Sequence, residues 1–208
     1  MKKIIALLLV LALAVSLLAA CGQENTIGEA NAAASQDDGK LRIVTTIFPE
    51  YDWVREILGD QADRADLTML LDNGVDLHSY QPTADDIAKI ADCDLFLYVG
   101  GESDEWVDDA LKESANPNQK VINLMDVLSD EIKEEEQVEG MEAEEEEPLS
   151  AEAEEEGAEY DEHVWLSPRN AETLCTAITN ALGELDPDHK DVYTANVSTY
   201  LQKLDQLD

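Results

Sequence analysis

Four short apolar segments alternate with segments of helical periodicity between residues 41 and 124, and this alternation constrains the fold more than any other feature. The clearest segment, residues 95–99, is an uninterrupted apolar run that ends at Gly100 and Gly101. Uninterrupted apolar strands separated by helices are typical of a parallel sheet that helices cover on both faces. The predicted strands are residues 41–46, 66–71, 95–99 and 120–124.

Helix signals lie between these strands and after them. Asp86 follows Thr83 by three residues, as in a capping pair, and Ser167 followed by Pro168 is a helix start. The sequence therefore predicts an α/β fold: a parallel four-stranded sheet flanked by helices, ending in a long helix. Predicted helices cover residues 52–58, 106–111, 167–182 and 186–208, and one more helix is predicted to begin at Thr83. A short strand is predicted at residues 164–166. In such sheets, ligands bind outside the carboxyl ends of the strands.

The N-terminus has the pattern of a bacterial lipoprotein leader. Two lysines precede an apolar stretch that ends in small residues before Cys21. We therefore predict a signal peptide at residues 1–20, lipidation of Cys21 and an extracytoplasmic protein anchored by lipid to the bacterial cell membrane. A plain signal peptide and a membrane anchor are the alternatives. Residues 21–40 lack periodicity and are rich in small and polar residues, which predicts a flexible tether.

Charge is concentrated in one segment of the chain. The net charge is -35, and residues 130–162 hold 18 acidic residues against one lysine. A surface this acidic repels nucleic acids and anionic lipid head groups, which excludes both as binding partners, and it attracts cations. Two interpretations of the acidic loop remain open: a self-repelling segment that aids solubility, or a low-affinity collector of metal ions.

His78 and His163 are the candidate metal ligands. His78 follows the second predicted strand, and His163 precedes the segment at residues 164–166. Neutral imidazole suits Zn²⁺, but two histidines so far apart in sequence leave a non-ligating role open. The third histidine, His189, stands among charged residues and is predicted to be a solvated surface residue. Cys93 and Cys175 are predicted to be buried free thiols, although a disulfide between them stays open.

Three motifs make the chain resemble a known family, the zinc/manganese-specific solute-binding proteins of ABC transporters. They are HSYQPT at residues 78–83, HVWLSP at residues 163–168, and LFLYVGG at residues 95–101 with Trp106 shortly after. The resemblance covers residues 41–208. It implies a periplasmic-binding-protein-like fold of two α/β lobes joined by a long rigid helix, with the metal held between the lobes.

In this resemblance, His78 and His163 are the two histidines of the first lobe. The second lobe supplies another histidine and a carboxylate, for which this chain has no counterpart. Residues 41–185 are thus expected to form the metal-binding lobe, with the acidic loop at 130–162, and residues 186–208 the start of the inter-lobe helix. The resemblance implies that the transported ligand is Zn²⁺, with Mn²⁺ as the alternative. The expected partner is the permease of an ABC transporter, and the protein itself is expected to be a monomer and not an enzyme.

Three alternatives compete with this function. A zinc hydrolase would use the same two histidines with a nearby glutamate as base, but no HExxH motif occurs. A nucleotide-binding module lacks the glycine-rich phosphate loop after the first strand. A partial, non-functional piece of a longer carrier stays a real alternative. Glu162 either orients His163, which it precedes, or simply belongs to the acidic run, and the sequence slightly favours the second interpretation.

Overall fold

The computed structural model describes residues 39–72, 74–129 and 160–207. The predicted signal peptide, the lipidation site Cys21, nearly all of the tether and most of the acidic loop lie outside these residues. Within the described ranges, no helix combines the length and the apolar character that crossing a membrane requires.

Four strands and six α-helices alternate along the described chain. The strands are β1 (Leu41–Thr45), β2 (Ala65–Met69), β3 (Leu95–Tyr98) and β4 (Lys120–Asn123). The helices are α1 (Phe48–Leu58), α2 (Ala84–Asp92), α3 (Val107–Lys112), α4 (Leu124–Val127), α5 (Pro168–Leu185) and α6 (Lys190–Leu204). Short 3₁₀ turns occupy Gly59–Arg64, Leu77–Ser79, Glu102–Asp104, Val164–Leu166 and Pro187–His189.

The strands form one parallel sheet in the order β2-β1-β3-β4, which confirms the predicted fold class. The chain moves outward from β1 to β2 and then crosses to β3 on the other side of β1. With right-handed crossovers, α1 covers one face of the sheet while α2 and α3 cover the other. The contacts between helices agree with this arrangement, since α1 contacts α5 and α6 whereas α2 contacts α3. The strand order reverses between β1 and β3, which makes their carboxyl ends the expected ligand crevice.

The core lies between the sheet and the helices. All three apolar residues at the start of β3 are fully buried, which explains why that strand is apolar without interruption. Cys93 and Cys175 are both buried free thiols, as predicted. Burial raises the pKa of Cys93 to about 11 and that of Cys175 to about 12, so both side chains act as small apolar groups rather than nucleophiles.

The predicted helix at residues 186–208 is a 3₁₀ turn followed by a helix at Lys190–Leu204, and two further local predictions also differ from the structure. Residues 164–166 form a 3₁₀ turn, not the predicted strand, and Leu166 in it is largely exposed. Helix α1 begins at Phe48, earlier than predicted, because Pro49 falls in its first turn and Glu50 accepts hydrogen bonds from the preceding backbone. The predicted helix signals at Thr83 and Ser167 are confirmed, since each side chain accepts a hydrogen bond from a backbone N–H of the first turn.

Candidate metal centre

Three loops meet at the carboxyl edge of the sheet. The first follows β2 and carries His78 in the turn Leu77–Ser79. The second follows β3 and carries Ser103 in the turn Glu102–Asp104. The third carries His163, which precedes the turn Val164–Leu166 and helix α5. The loops join at the edge where the fold class predicts a ligand site.

The same local motif orients both histidines. Asp76 precedes His78 by two residues, and its Oδ1 accepts a hydrogen bond of 3.0 Å from the His78 backbone N–H. Asp161 precedes His163 by two residues, and its Oδ1 accepts one of 2.9 Å from the His163 backbone N–H. An aspartate that bonds the backbone two residues ahead stabilises a turn, so each histidine is fixed at a loop apex.

The two imidazole rings lie close together. Their centroids are 5.6 Å apart, and the ring planes are tilted by 50°. A zinc ion bound about 2.0–2.1 Å from one nitrogen of each ring, at a tetrahedral angle, would separate the centroids by about 5 Å. The ring pair therefore has a spacing that one metal ion could bridge. About half of each side chain is exposed, so an ion could reach both rings.

Each ring has an oxygen atom beside its Nδ1. His78 Nδ1 lies 2.9 Å from Ser103 Oγ, and His163 Nδ1 lies 2.9 Å from Asp161 Oδ1. The carboxylate of Asp161 can only accept at that contact, which favours a proton on Nδ1 of His163. A neutral ring protonated at Nδ1 presents its lone pair at Nε2. Nε2 is thus the nitrogen available to a metal in His163, and Ser103 permits the same arrangement in His78.

Buried carboxylates lie beside the histidines. Glu162 is buried, with its Oε1 accepting a 2.9 Å hydrogen bond from the Ser103 backbone N–H and its Oε2 3.9 Å from His78 Nδ1. Asp104 is also buried, and its Oδ2 accepts a 3.0 Å hydrogen bond from Gly100 N–H. Burial, with a contribution from the charge of Glu162, raises the pKa of Asp104 to about 6. Negative charge is therefore concentrated behind the imidazole pair.

The structure brings together both predicted ligands and adds residues that sequence reasoning missed. Ser103 lies outside the motifs that the sequence displays. Glu162 is buried beside Ser103 and His78, so neither the acidic-run interpretation nor the orientation of His163 describes its contacts. His189 lies elsewhere, half-buried against Asp186 rather than solvated as predicted. Among the described residues, no group of three or more His, Cys, Asp or Glu side chains is arranged to hold a metal ion. The described part of the chain thus offers two imidazoles rather than a full set of four ligands.

Aromatic side chains line the same region. The Trp165 ring lies 5.3 Å from the His163 ring, and Trp106 packs edge-on against Tyr80 at 5.7 Å. Tyr80 also donates a 3.0 Å hydrogen bond to Asp86, which holds the segment after His78 against the start of α2. These rings pack around the loops that carry the histidines.

A family model described as "Zinc-uptake complex component A periplasmic" matches residues 43–208. The chain belongs to this zinc-uptake component A family. The match includes all of the loops that carry the two histidines, and it agrees with the resemblance found in the sequence motifs. The family is a transport component and not an enzyme, so the hydrolase and nucleotide-binding alternatives are set aside.

Curated relatives are named for zinc uptake or zinc binding. The chain is 35% identical over 201 residues to the high-affinity zinc uptake system protein ZnuA of Bacillus subtilis, covering 97% of this chain and 58% of that protein. It is 34% identical over 211 residues to the zinc-binding lipoprotein AdcA of Streptococcus pneumoniae, covering 100% of this chain and 37% of that protein. The chain therefore spans little more than half, or less, of the length of these relatives.

Solved structures of family members share the fold. The Zn(II)-bound ZnuA-like domain of S. pneumoniae AdcA superposes with a TM-score of 0.60 at 31% identity, covering 82% of this chain and 54% of that one. The periplasmic zinc-binding protein TroA of Treponema pallidum gives a TM-score of 0.62 at 26% identity, covering 82% and 53%. The fold of the described residues is thus that of one part of a zinc-binding transport protein.

Proposed function

We propose that this chain captures Zn²⁺ outside the cytoplasm and delivers it to the permease of an ABC importer. The observation that carries the proposal is the pair of half-exposed imidazoles of His78 and His163, whose ring centroids are 5.6 Å apart. Both rings have oxygen atoms beside Nδ1, which leaves Nε2 of each for one ion. Family membership supports the transport role.

The donor atoms favour zinc over manganese as the cargo. Imidazole nitrogens suit Zn²⁺, whereas Mn²⁺ prefers carboxylate, carbonyl and water oxygens, and Zn²⁺ stands well above Mn²⁺ in the general affinity order. Two imidazoles at the carboxyl edge of the sheet are therefore ligands that favour zinc. The buried carboxylates behind the rings add negative charge without replacing the nitrogen donors.

Two protein ligands do not complete a tetrahedral zinc shell. We propose that a further histidine and a carboxylate, contributed by a second lobe of the full-length carrier, complete it and shield the ion from water. The chain spans 58% of the B. subtilis relative and 37% of the S. pneumoniae relative, which leaves room for such a lobe. On this view, helix α6 (Lys190–Leu204) is the start of the connection between the lobes.

The location follows from the family and from the N-terminal sequence. The family description is periplasmic, and one curated relative is a lipoprotein. We propose that residues 1–20 are removed, that Cys21 is lipidated, and that the protein works as a monomer anchored to the outer face of the cell membrane. The anchor would keep the carrier close to its permease.

Metal content tests the proposal directly. The complete gene product, purified natively without chelators, is expected to contain zinc and little manganese when measured by mass spectrometry of the metals. In titration of the stripped protein, equimolar Zn²⁺ is expected to displace Mn²⁺. An esterase and peptidase screen of the same preparation serves as a control. Zinc-dependent turnover, or a preparation that binds no zinc, would contradict the carrier function.

Deleting residues 134–159 tests the role of the acidic loop. Solvated carboxylates are hard ligands that bind divalent cations weakly, so we expect the zinc dissociation constant to change by less than about tenfold, or ~1.4 kcal/mol. A segment of equal length with glutamine in place of glutamate controls for loop length. If the glutamates collect cations, the association rate of Zn²⁺ falls at low ionic strength in both variants. A larger loss of affinity would make the loop part of the site.

A further inference from the structure

Glu162 is a buried carboxylate with one oxygen left unpaired. Only 9% of its side chain is exposed. Oε1 accepts a hydrogen bond of 2.9 Å from the Ser103 backbone N–H, while Oε2 has no hydrogen-bond partner among the described residues and lies 3.9 Å from His78 Nδ1. Burying a carboxylate that is only partly hydrogen-bonded costs free energy, so its position requires a compensating interaction.

The surrounding backbone is shaped to hold this carboxylate. Gly101 has a φ of +77°, and a Cβ atom added to it would overlap the Glu162 side chain. Ser103, two residues later, contacts both partners: its N–H donates to Glu162, and its Oγ lies 2.9 Å from His78 Nδ1. One turn after β3 therefore joins the loop that carries His78 to the loop that carries Glu162.

The contacts define what Glu162 does to His78. A carboxylate can only accept hydrogen bonds, so the negative field of Oε2 favours a proton on the ring nitrogen that faces it. That nitrogen is Nδ1, and the lone pair then stands on Nε2, on the other side of the ring. Of the described cationic or potentially cationic side chains, His78 alone lies within ion-pair distance of Glu162.

We propose that Glu162 is a positioning residue for metal capture. It holds His78 in the tautomer protonated at Nδ1, orients the ring through Ser103, and offsets the positive charge that the imidazole gains when an ion binds at Nε2. This inference rests on the proposed function, because it assigns His78 as a ligand. It places a carboxylate 3.9 Å from Nδ1 of His78, whereas Asp161 lies at hydrogen-bond distance, 2.9 Å, from Nδ1 of His163.

Glu162→Gln is the decisive variant, because the amide oxygen can still accept from Ser103 N–H while the negative charge is lost. Long-range ¹⁵N–¹H correlation spectra of the metal-free chain at pH 8 report the tautomer of each histidine. We expect His78 to be protonated at Nδ1 in the wild type and to become a tautomer mixture in Glu162→Gln. Competition titration is expected to show a loss of zinc affinity of about 10- to 100-fold.

Two further variants keep the test specific. Glu105→Gln removes one acidic charge from the exposed end of the same turn, and we expect it to leave the tautomer unchanged and the affinity within twofold. Ser103→Ala removes the hydroxyl beside His78 Nδ1 but keeps the N–H whose hydrogen bond Glu162 accepts, and we expect it to weaken zinc binding less than Glu162→Gln does. A His78 ring protonated at Nε2 in the metal-free wild type would overturn the proposal, even if Glu162→Gln does not fold.

The outcomes separate this inference from the carrier function. An unchanged tautomer together with unchanged zinc affinity in Glu162→Gln would overturn the role of Glu162 and leave a wild type that still binds zinc. A wild type that binds no zinc would defeat the carrier function, whereas the tautomer of the metal-free chain would still report whether Glu162 controls His78.

Discussion

Replacing both His78 and His163 by alanine abolishes tight zinc binding and leaves the fold intact. The two rings are the only imidazoles at the carboxyl edge of the sheet in the described part of the chain, and the remaining oxygen donors there are poor substitutes for them. We expect the affinity to fall by at least about 1000-fold, or ~4 kcal/mol. Half of each side chain is exposed, so little buried apolar area is lost and the metal-free chain should still fold. The unfolding temperature should fall modestly, because Glu162 loses the ring of His78 beside its buried carboxylate.

Competition with a zinc-selective fluorescent chelator measures this loss. Thermal unfolding gives a second readout, since Zn²⁺ at 100 times its dissociation constant should stabilise the wild type by about 2.7 kcal/mol and the double variant not at all. His189→Ala is the matched control, because that histidine lies in the turn before α6 and pairs with Asp186. Zinc affinity that is equal in the double variant and the wild type would remove these histidines from the site.

The fold was predictable chiefly from its central strand β3, whose sequence is dominated by burial. Strand β3 is apolar throughout and fully buried over its first three residues, so its sequence alone identified a central strand of a parallel sheet. Residues 164–166 were predicted wrongly for the opposite reason. The segment has apolar and aromatic residues typical of a strand, but Leu166 is exposed and the turn leads directly into the Ser167 cap of α5. Three residues are too few for composition to identify a strand.

The candidate site was only partly predictable. Both histidines stand in motifs that can be recognised in the sequence, and so does the aspartate two positions before each, Asp76 and Asp161. Glu162 was not separable from the acidic run that precedes it, because its burial depends on a long-range contact with Ser103 and on the space left by Gly101. Contacts between loops 59 residues apart leave no periodic signal in the sequence. Their discovery required the three-dimensional arrangement.

Glu50 introduces a pH dependence of stability that is independent of metal. Its side chain is completely buried at the start of α1, where it accepts hydrogen bonds from the backbone N–H groups of Thr46 and Ile47 and from the Thr46 hydroxyl. Burial raises the pKa of Glu50 to about 8, and the nearby negative charge of Asp104 acts in the same direction, although the backbone donors oppose it.

The sign of the effect follows from proton linkage. Between the unfolded pKa of 4.5 and the folded pKa of about 8, the folded state holds a proton that the unfolded state has released. The free energy of unfolding therefore falls as pH rises through this range, by up to about 1.4 kcal/mol per pH unit. The protonated carboxyl stabilises the fold fully below pH 4.5, and its contribution is lost above pH 8. We expect the total contribution of Glu50 to be a few kcal/mol.

Glu50→Gln removes this titration and should flatten the pH profile. We expect urea unfolding at pH 5, 6, 7 and 8 to show the variant gaining stability relative to the wild type as pH rises, by a few kcal/mol across the range. Glu56→Gln, on the partly exposed side of the same helix, controls for a general change in charge and should give a profile parallel to the wild type. The wild type and Glu50→Gln both contain Asp104, so the difference between their pH profiles reports the titration of Glu50. Parallel profiles for Glu50→Gln and the wild type would mean that Glu50 is ionised in the folded protein across this range, held by its three donors despite its burial.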